Sequence, residues 1–565
     1  MKSATILAFS QELLKIRRET MDATKNSVTR ASSTPNLAQD SDIAMTVRAA
    51  VLDLLRAFGM TSIFGNPGST ELPLFRSFPK DFRYVLGLQE AVVVGMADGY
   101  AQATHNAAFV NLHSAAGVGN AMGNIFTAYR NRTPLVITAG QQARSILPYE
   151  PFLFSAQATE LPKPYVKWSC EPARAEDVPL AIARAYYTAM LPPRGPVLVS
   201  IPADDWEKPC EPVAARVVST GIRPEPRVLD AIGEALDTSL RPAFVVGAAV
   251  DRDGAWSDVV RLAERHNAAV WVAPMSGRCS FPEDHALFAG FLPPMREKIV
   301  NLLAGHDVIF ALGAPAFTYH VEGAGPHLPA GARLVQLIDD PNIAAWTPQG
   351  TSAVGSIRLG VLDLLAREPP RRRGRPARRR QSPRVEPSTP MSVAFVMQTL
   401  AEIRDPASIV VEEAPSSRQA MQSYLPILRS ETFYTMCSGG LGYAMPAAVG
   451  IALGKPRAKI IGLIGDGSSM YSIQALWSAA QLALPITFIV LKNRRYAALQ
   501  EFAPTFGFGP NEPLAGTELP DIDFVALARG QGCQGVNVSG AQHLRDALID
   551  AMQASVPTLV EVDVA

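Results

Sequence analysis

The sequence carries no excess of charge of either sign, because 52 lysines and arginines balance 52 aspartates and glutamates among its 565 residues. It therefore offers no electrostatic basis for binding nucleic acid or an anionic membrane. No run of about 18 apolar residues is present, which excludes a membrane-spanning helix of the usual kind. The five cysteines are odd in number, scattered and free of any CxxC pair, so we expect no zinc site and a reducing, cytoplasmic compartment. These absences favour small-molecule chemistry.

What the chain does contain is a repeated alternation of short apolar strands and amphipathic helices, which predicts an α/β fold. We predict three doubly wound domains with parallel sheets, over residues 45–215, 222–366 and 391–565. Residues 1–44 are rich in serine, threonine, arginine and lysine, and we expect a disordered extension or a mis-assigned start there. Residues 367–390 hold nine arginines. We expect a solvated, extended linker and prefer that reading to a nucleic-acid patch.

One βαβ unit near the C-terminus has the strongest chemical signal. Two apolar segments, Ile460–Ile464 and Ile486–Leu491, flank a helical stretch, as two buried parallel strands and their crossover helix would. Asp466 and Asn493 follow the ends of these strands. Because a right-handed crossover brings both strand ends to one edge of the sheet, we expect the two side chains to share a ligand.

The residue types at this edge suit a metal-bound diphosphate. The Asp466 carboxylate and the Asn493 carboxamide are hard oxygen ligands of the kind that Mg²⁺ prefers. Gly467 and Ser468 offer backbone N–H groups at a helix start, where phosphate oxygens bind readily. An ordinary Asp-Gly turn is the alternative, but the strands, helix and asparagine around it favour the ligand site.

Three strand ends in the first domain carry further polar candidates. Ser69, Glu90 and His113 each follow a short apolar segment, and open α/β sheets bind ligands at this carboxyl edge. Each residue also has a simpler interpretation: Ser69 caps a helix, Glu90 is a carboxylate favoured by a helix N-terminus, and His113 is a structural histidine. Their common edge favours a shared site, in which an imidazole can relay protons near neutral pH.

These motifs resemble a known family. Gly465-Asp466-Gly467, followed 27 residues after the aspartate by Asn493, is similar to the diphosphate motif of thiamine diphosphate (ThDP)-dependent 2-oxo acid decarboxylases. The resemblance runs from the region of Thr46 to the C-terminus and is strongest with the benzoylformate decarboxylase branch. It implies a pyrimidine-binding, a central and a diphosphate-binding domain, with ThDP and Mg²⁺ as cofactors.

The resemblance also implies roles for the candidate residues. Glu90 would bind the pyrimidine ring of the cofactor, and Ser69 would bind the substrate carboxylate. His113 and His320, which follows the family pattern Gly-Ala-Pro-x-Phe-x-Tyr, would move protons. The predicted cofactor-binding residues are Glu90, Ser416, Gly439, Leu441, Gly467, Ser468 and Tyr496, and the predicted magnesium ligands are Asp466, Asn493 and the backbone carbonyl of Arg495.

The implied activity is non-oxidative decarboxylation of an aromatic or apolar 2-oxo acid, such as benzoylformate, to an aldehyde and CO₂. A ThDP-dependent carboligase resembling acetolactate synthase is the alternative. A catalytically impaired binding protein is less favoured, because Ser69, Glu90, His113 and His320 are all present. Family sites form between subunits, which implies a homodimer at least and favours a homotetramer. No GxGxxG motif follows a strand of the central domain, so we expect no second cofactor.

Several positions near the predicted site depart from the family pattern. Arg494 stands where the family usually has a small residue, which matters if the backbone there has a positive φ. Thr435 replaces an aromatic residue of the substrate pocket, and residues 414–418 replace a threonine-rich stretch, while Leu499 and Phe502 still offer an apolar wall. These changes leave the ThDP prediction intact but weaken the assignment of benzoylformate as the substrate.

Overall fold

The computed structural model describes residues 45–370, 373–509 and 512–565. These residues form three parallel, six-stranded β-sheets with helices packed against them, which confirms the predicted fold class. The N-terminal extension expected over residues 1–44 lies outside the described residues. Within the part of the chain that the structure describes, no helix is both long enough and apolar enough to cross a membrane.

The first sheet follows the predicted alternation of strands and helices. Its strands are β1 (Ser62–Gly65), β2 (Arg83–Leu86), β3 (Ala108–Leu112), β4 (Leu135–Gln141), β5 (Ser169–Cys170) and β6 (Val197–Pro202). Its helices are α1 (Val47–Ala57), α2 (Leu72–Phe75), α3 (Glu90–Thr104), α4 (Ser114–Asn131) and α5 (Val178–Met190), with 3₁₀ helices at Ser69–Glu71, Arg144–Tyr149 and Ala175–Asp177. The strand order is β2-β1-β3-β4-β6-β5. Strands β3 and β4 are buried along their whole length, as expected for a sheet covered on both faces.

The central sheet has a different strand order. Its strands are β7 (Pro242–Val246), β8 (Ala269–Val272), β9 (Phe288–Phe291), β10 (Val308–Leu312), β11 (Arg333–Ile338) and β12 (Thr351–Val354), in the order β12-β11-β10-β7-β8-β9. Its helices are α6 (Pro226–Thr238), α7 (Ala248–Arg252), α8 (Trp256–His266), α9 (Arg296–Leu302), α10 (Pro341–Trp346) and α11 (Ile357–Ala366). This is the order of dinucleotide-binding sheets, whose ligands lie where the order reverses, here between β7 and β10. A Cβ on Gly247 would lie only 2.7 Å from the Gly313 carbonyl oxygen, so the loops after β7 and β10 approach each other closely at this point.

The third sheet repeats the order of the first. Its strands are β13 (Ile409–Glu413), β14 (Phe433–Thr435), β15 (Ile460–Gly465), β16 (Thr487–Lys492), β17 (Gln534–Val538) and β18 (Thr558–Asp563), in the order β14-β13-β15-β16-β18-β17. Its helices are α12 (Val393–Ile403), α13 (Arg418–Tyr424), α14 (Ala444–Gly454), α15 (Asp466–Ser469), α16 (Ala475–Gln481), α17 (Ala497–Phe502), α18 (Phe524–Gly530) and α19 (Ala541–Gln553), with 3₁₀ helices at Pro415–Ser417 and Ala503–Phe506. One apolar core contains residues of both the first and the third sheet, whereas the central sheet has a core of its own.

Helices α3 and α14 join the first and third domains through direct backbone contact. A Cβ on Gly450 would lie 1.9 Å from the Met96 carbonyl oxygen, and a Cβ on Gly99 would lie 2.2 Å from the Ala447 carbonyl oxygen. A Cβ on Gly95 would lie 2.6 Å from Pro446 Cγ, and a Cβ on Gly454 would lie 2.8 Å from Ala103 Cβ, so the two helices run in the same direction with their N-terminal ends close together. Asn124 of α4 ties these turns together, since its Nδ2 donates to the carbonyls of Ala91 and Gly442 at 2.7 and 3.1 Å.

The arginine-rich linker is less solvated than its composition predicts. Arg367 forms ion pairs with Asp230 at 3.0 Å and Asp237 at 3.1 Å. Arg373 donates to the carbonyls of Leu236 and Asp237 near the C-terminal end of α6, where a helix attracts cations. The expectation of full solvation is therefore wrong for the side chains of Arg367 and Arg373. Their partners belong to helix α6, which is far away in the sequence, so the composition of the linker does not reveal them.

The contact between α3 and α14 predicts that Gly450→Ala destabilises the protein. The added methyl group must displace the Met96 backbone, and overpacking of this kind costs about 1–3 kcal/mol. A thermal scan should show a Tm several degrees below that of the wild type. Gly530→Ala is the matched control, because a Cβ at that helical glycine meets no atom within 4 Å. Equal Tm values for the two variants would contradict the packing described here.

Candidate active site

The carboxyl ends of β1, β2 and β3 lie level, since Gly65 pairs with Leu86 on one side and with Asn111 on the other. Glu90, the first residue of α3, is buried at this edge. Its carboxylate accepts hydrogen bonds from the Nδ2 groups of Asn66 at 3.2 Å and Asn120 at 3.0 Å. The helix N-terminus favours negative charge at this position. Glu90 is thus held by neutral donors and a helix dipole.

His113 lies between β3 and α4, with its ring pressed against Gly68. A Cβ on Gly68 would lie 2.2 Å from the ring Nδ1, so only glycine allows this approach. Nδ1 lies 2.8 Å from Glu71 Oε2 and 3.0 Å from Thr70 Oγ1. Because an ionised carboxylate only accepts, Glu71 fixes the proton on Nδ1 and leaves Nε2 to exchange protons with a ligand.

Sequence reasoning missed Glu71. Its carboxylate is 1% exposed and also accepts from the backbone N–H of Gly68 at 2.9 Å and from Thr70 Oγ1 at 2.6 Å. The only local signal is a glutamate three residues after Gly68, which is typical of a helix-capping box and indicates a structural role. The histidine that it holds lies 42 residues further along the chain.

Ser69 is the first residue of the 3₁₀ helix that carries Glu71, and its side chain is exposed. Gly68 occupies the N-cap position, so the alternative interpretation of Ser69 as a helix cap is wrong. The structure therefore brings Ser69, Glu90 and His113 to one edge of the first sheet, as the strand ends predict. Their catalytic roles remain predictions.

The expected metal-binding residues meet at the corresponding edge of the third sheet. Gly465 pairs with Leu491, so the ends of β15 and β16 are level. Asp466 is buried, and its carboxylate accepts from the backbone N–H groups of Gly467 at 2.7 Å and Arg494 at 2.6 Å. Burial raises the pKa of Asp466, although the backbone N–H donors act to lower it.

The remaining metal candidates lie in the loop after β16. Asn493 Oδ1 accepts from the Arg495 backbone N–H at 3.1 Å, and this hydrogen bond holds the Asn493 side chain against the turn that contains Arg495. In the described ranges, no group of three or more histidine, cysteine, aspartate or glutamate side chains is arranged to hold a metal. A cation at this edge would therefore depend on one carboxylate, one amide and the Arg495 carbonyl, a hard oxygen set suited to Mg²⁺.

Arg494 occupies the left-handed region with a φ of 60°, where glycine is the usual residue. The backbone on both sides of its Cα is anchored: its N–H donates to Asp466, and its carbonyl accepts from the Leu519 N–H at 2.7 Å. Its side chain pairs with Asp563 at 3.1 Å. Residue 494 thus has the positive φ that would favour glycine. The backbone hydrogen bonds and the ion pair with Asp563 hold an arginine in this conformation.

The expected diphosphate-binding turn is tightly packed. A Cβ on Gly467 would lie 2.4 Å from Cε1 of Tyr496, so the tyrosine ring covers this glycine. Ser468 is buried in the same short helix, α15. Ser416 is half-buried in the 3₁₀ helix that follows β13.

The turn before α14 leaves room beside its backbone. Gly439 is exposed with a φ of 76°, and a Cβ there would meet no atom within 4 Å. Leu441 is half-buried and packs on the core shared by the first and third sheets. Gly442 has a φ of 99°, so the turn has two left-handed glycines that other residues would strain.

His320 follows β10 of the central domain and contacts the third domain. Its ring is exposed and stands edge-on to Phe502 of α17, with 4.6 Å between ring centroids. Among the residues that the structure describes, no hydrogen bond joins His320 to His113 or Glu90 to Asp466. We call Ser69, Glu90 and His113 the first half-site, and the third-sheet residues with His320 the second half-site.

Comparison with known proteins matches three segments of the chain. Residues 45–159 match the N-terminal TPP binding domain of thiamine pyrophosphate enzymes, residues 229–364 the central domain, and residues 416–562 the C-terminal TPP binding domain. Thiamine pyrophosphate is another name for ThDP. Benzoylformate decarboxylase from Pseudomonas aeruginosa is 46% identical over 525 residues, covering 92% of this chain and 98% of the relative. The chain belongs to the ThDP-dependent benzoylformate decarboxylase family.

Two solved structures share the decarboxylase fold. Benzoylformate decarboxylase from Polynucleobacter necessarius is 40% identical with a TM-score of 0.90, covering 92% of this chain and 98% of that one. The ThDP-dependent 4-hydroxybenzoylformate decarboxylase of Rhodococcus jostii RHA1 is 41% identical with a TM-score of 0.88, covering 92% and 99%. The fold and the decarboxylase class predicted from the sequence are confirmed.

Replacement of Glu71 by glutamine should slow this decarboxylase without weakening ThDP binding. The amide presents an N–H₂ group where His113 needs an acceptor, so the ring loses its fixed tautomer. With benzoylformate as test substrate, we expect kcat to fall about 10- to 100-fold. This loss is smaller than that caused by removing an acid–base group outright, because His113 itself is kept. A fluorescence titration should give an unchanged ThDP dissociation constant.

Thr70→Val is the matched control for Glu71→Gln, because it removes the second contact of Nδ1 and keeps the carboxylate. It should lower kcat much less. A Glu71→Gln enzyme with wild-type kcat and a lowered Tm would show that Glu71 serves stability rather than the histidine.

Proposed function

We propose that this enzyme decarboxylates an aromatic 2-oxo acid, with benzoylformate as the leading candidate, to the aldehyde and CO₂, using ThDP and Mg²⁺. The observation that carries the proposal is the His113–Glu71 pair beside Glu90, a proton-transfer group at the edge that faces ligands in such sheets. The printed activities of the relatives support the same chemistry, since they act on benzoylformate and 4-hydroxybenzoylformate.

The residues present fit both cofactors. Asp466, Asn493 and the Arg495 carbonyl would hold Mg²⁺, and Gly467 and Ser468 would bind the diphosphate, with Ser416 and Tyr496 at its sides. The Gly439 carbonyl and the Leu441 side chain would contact the rings, where the exposed turn leaves space. When bound, ThDP would supply a nucleophilic carbon and an electron sink for the bonding pair that stays behind when CO₂ leaves.

The chain's own groups would orient the substrate and move protons. Glu90 would bind the pyrimidine ring of the cofactor. Ser69, whose hydroxyl is exposed, orients the substrate carboxylate. His113 exchanges a proton through Nε2 while Glu71 holds Nδ1, and His320 delivers a proton from the second half-site.

The apolar side chains near His320 favour a substrate with an apolar side chain. Phe502 contacts the His320 ring, and Leu499 of the same helix is 54% exposed. Thr435, which stands where the family has an aromatic residue, is buried and accepts a hydrogen bond from Arg418 at 2.7 Å. An aromatic 2-oxo acid suits these surfaces, and its ring substituent is left to experiment.

We propose a homodimer as the smallest active unit and a dimer of dimers as the full assembly. Large apolar side chains next to both half-sites are exposed in the single chain, including Leu72 at 63% and Tyr471 at 56%. Exposed apolar surface of this kind marks an interface. A second copy would bring the first half-site of one chain to the second half-site of the other. The proposed location is the cytoplasm.

Purified protein should form benzaldehyde from benzoylformate only when ThDP and Mg²⁺ are both present. The assay omits each cofactor in turn after dialysis against a chelator. Because Asp466 would be the one carboxylate that holds Mg²⁺ for the diphosphate, Asp466→Ala should abolish turnover and ThDP binding together. Bound ThDP without benzaldehyde would contradict the proposed substrate. A coupled product in the presence of added aldehyde would favour the carboligase alternative.

Coexpression of two inactive variants tests the shared site. One chain carries Glu90→Ala and the other Asp466→Ala, with different affinity tags to isolate the mixed dimer. If sites form between chains, one site has both lesions and the other has none, so about half of the wild-type activity per dimer should return. If each chain contains its own complete site, both sites stay damaged and the mixed dimer is as inactive as its parents.

A further inference from the structure

Glu413, which the sequence did not single out, holds the turn before α14. It is the last residue of β13 and is 1% exposed. Its Oε1 accepts from the Gly442 N–H at 2.6 Å, and its Oε2 accepts from the N–H groups of Tyr443 and Ala444, both at 2.7 Å. One carboxylate thus satisfies three consecutive backbone donors at the start of a helix, which otherwise have no partner within the helix.

The neighbouring glutamate shows that this arrangement is distinct. Glu412 is also buried, but it pairs with the guanidinium of Arg418. Among the described residues, Glu413 has no lysine or arginine within ion-pair distance. Burial raises the pKa of Glu413 to about 7, although the three N–H donors act to lower it. The protein keeps a carboxyl group here at a cost in desolvation, which argues for a role beyond packing.

The same turn is fixed from the other side. Its Gly442 carbonyl accepts from Asn124, which also donates to Ala91, the residue after Glu90. Glu413 therefore links the third sheet, the turn with Gly439 and Leu441, and the first turn of α3. A shift of its carboxyl group would move all of these backbone groups.

We propose that Glu413 is a positioning residue that sets the Gly439–Gly442 turn for the cofactor rings, an inference that rests on the proposed ThDP site. Both of its carboxylate oxygens accept from backbone N–H groups of the turn, so it would act through the turn. By holding the N–H groups of Gly442, Tyr443 and Ala444, it fixes the direction of the Gly439 carbonyl and the height of the Leu441 side chain above the sheet.

Glu413→Gln tests this proposal, because glutamine keeps the size but turns an N–H₂ group toward backbone donors. The first readout needs no cofactor: amide hydrogen exchange, followed by mass spectrometry on the apoenzyme, should become faster in residues 439–446 and stay unchanged elsewhere. The second readout is ThDP affinity, which should weaken about tenfold. The value of kcat at saturating ThDP should change less than the affinity.

Glu283→Gln is the matched control. Glu283 is a half-buried glutamate of the central domain. Desolvation of its carboxyl group also raises its pKa to about 7, and it accepts from the Ile427 N–H at 3.0 Å. Its loss should lower Tm without affecting the turn or ThDP. If Glu413→Gln gives the same amide hydrogen exchange in residues 439–446 and the same ThDP affinity as this control, Glu413 is only structural and the proposal is overturned.

A shorter carboxylate keeps the test decisive if the glutamine variant does not fold. Glu413→Asp retains the charge but reaches fewer of the three donors, so we expect the same faster exchange and a smaller loss of affinity. Wild-type values for both would overturn the proposal. Failure of the wild-type enzyme to bind ThDP would instead refute the proposed function, while the exchange result would still decide whether Glu413 orders the turn.

Discussion

The backbone contact between α3 and α14 is the constraint on which the rest of the structure depends. Glycines on both helices remove the side chains that would separate them, so a carbonyl oxygen of one helix lies where a Cβ of the other would stand. Both helices begin at the carboxyl edges of their sheets, and the contact aligns those edges. Glu90 at the first edge and the Gly439–Gly442 turn at the third are therefore fixed relative to each other by packing, with Asn124 as the polar link.

Both edges stabilise carboxylates with neutral donors in place of cations. Side-chain amides hold Glu90, and backbone N–H groups hold Asp466 and Glu413. A lysine or arginine partner would neutralise such a group and compete with a metal ion or a ligand proton. Helix N-termini offset part of the desolvation cost without adding a competing charge. Among the described residues, Glu90, Asp466 and Glu413 thus form no ion pair with lysine or arginine, whereas Glu412 is paired with Arg418.

Local patterns predicted the fold and much of the site, because strand periodicity and the Gly-Asp-Gly turn depend on neighbouring residues. The level ends of β15 and β16 follow from one crossover, so the sequence placed Asp466 and Asn493 at one edge of the sheet, and their role as metal ligands stays a prediction. Glu71 and Glu413 were missed because their partners lie 42 and about 30 residues away, and only tertiary packing joins them. The linker was misjudged for the same reason, since the acceptors of Arg367 and Arg373 belong to a helix more than 100 residues earlier.

The two histidines lie in different domains. His113 is oriented by Glu71 on the first sheet, and His320 stands against Phe502 of the third domain. If the active site forms between chains, as we propose, it takes the first half-site of one chain and the second half-site of another. Substrate carboxylate binding and the Glu90 contact would then come from one subunit, and cofactor phosphate binding from its partner. Dilution below the dimer dissociation constant would remove activity even though every catalytic side chain stays folded in place.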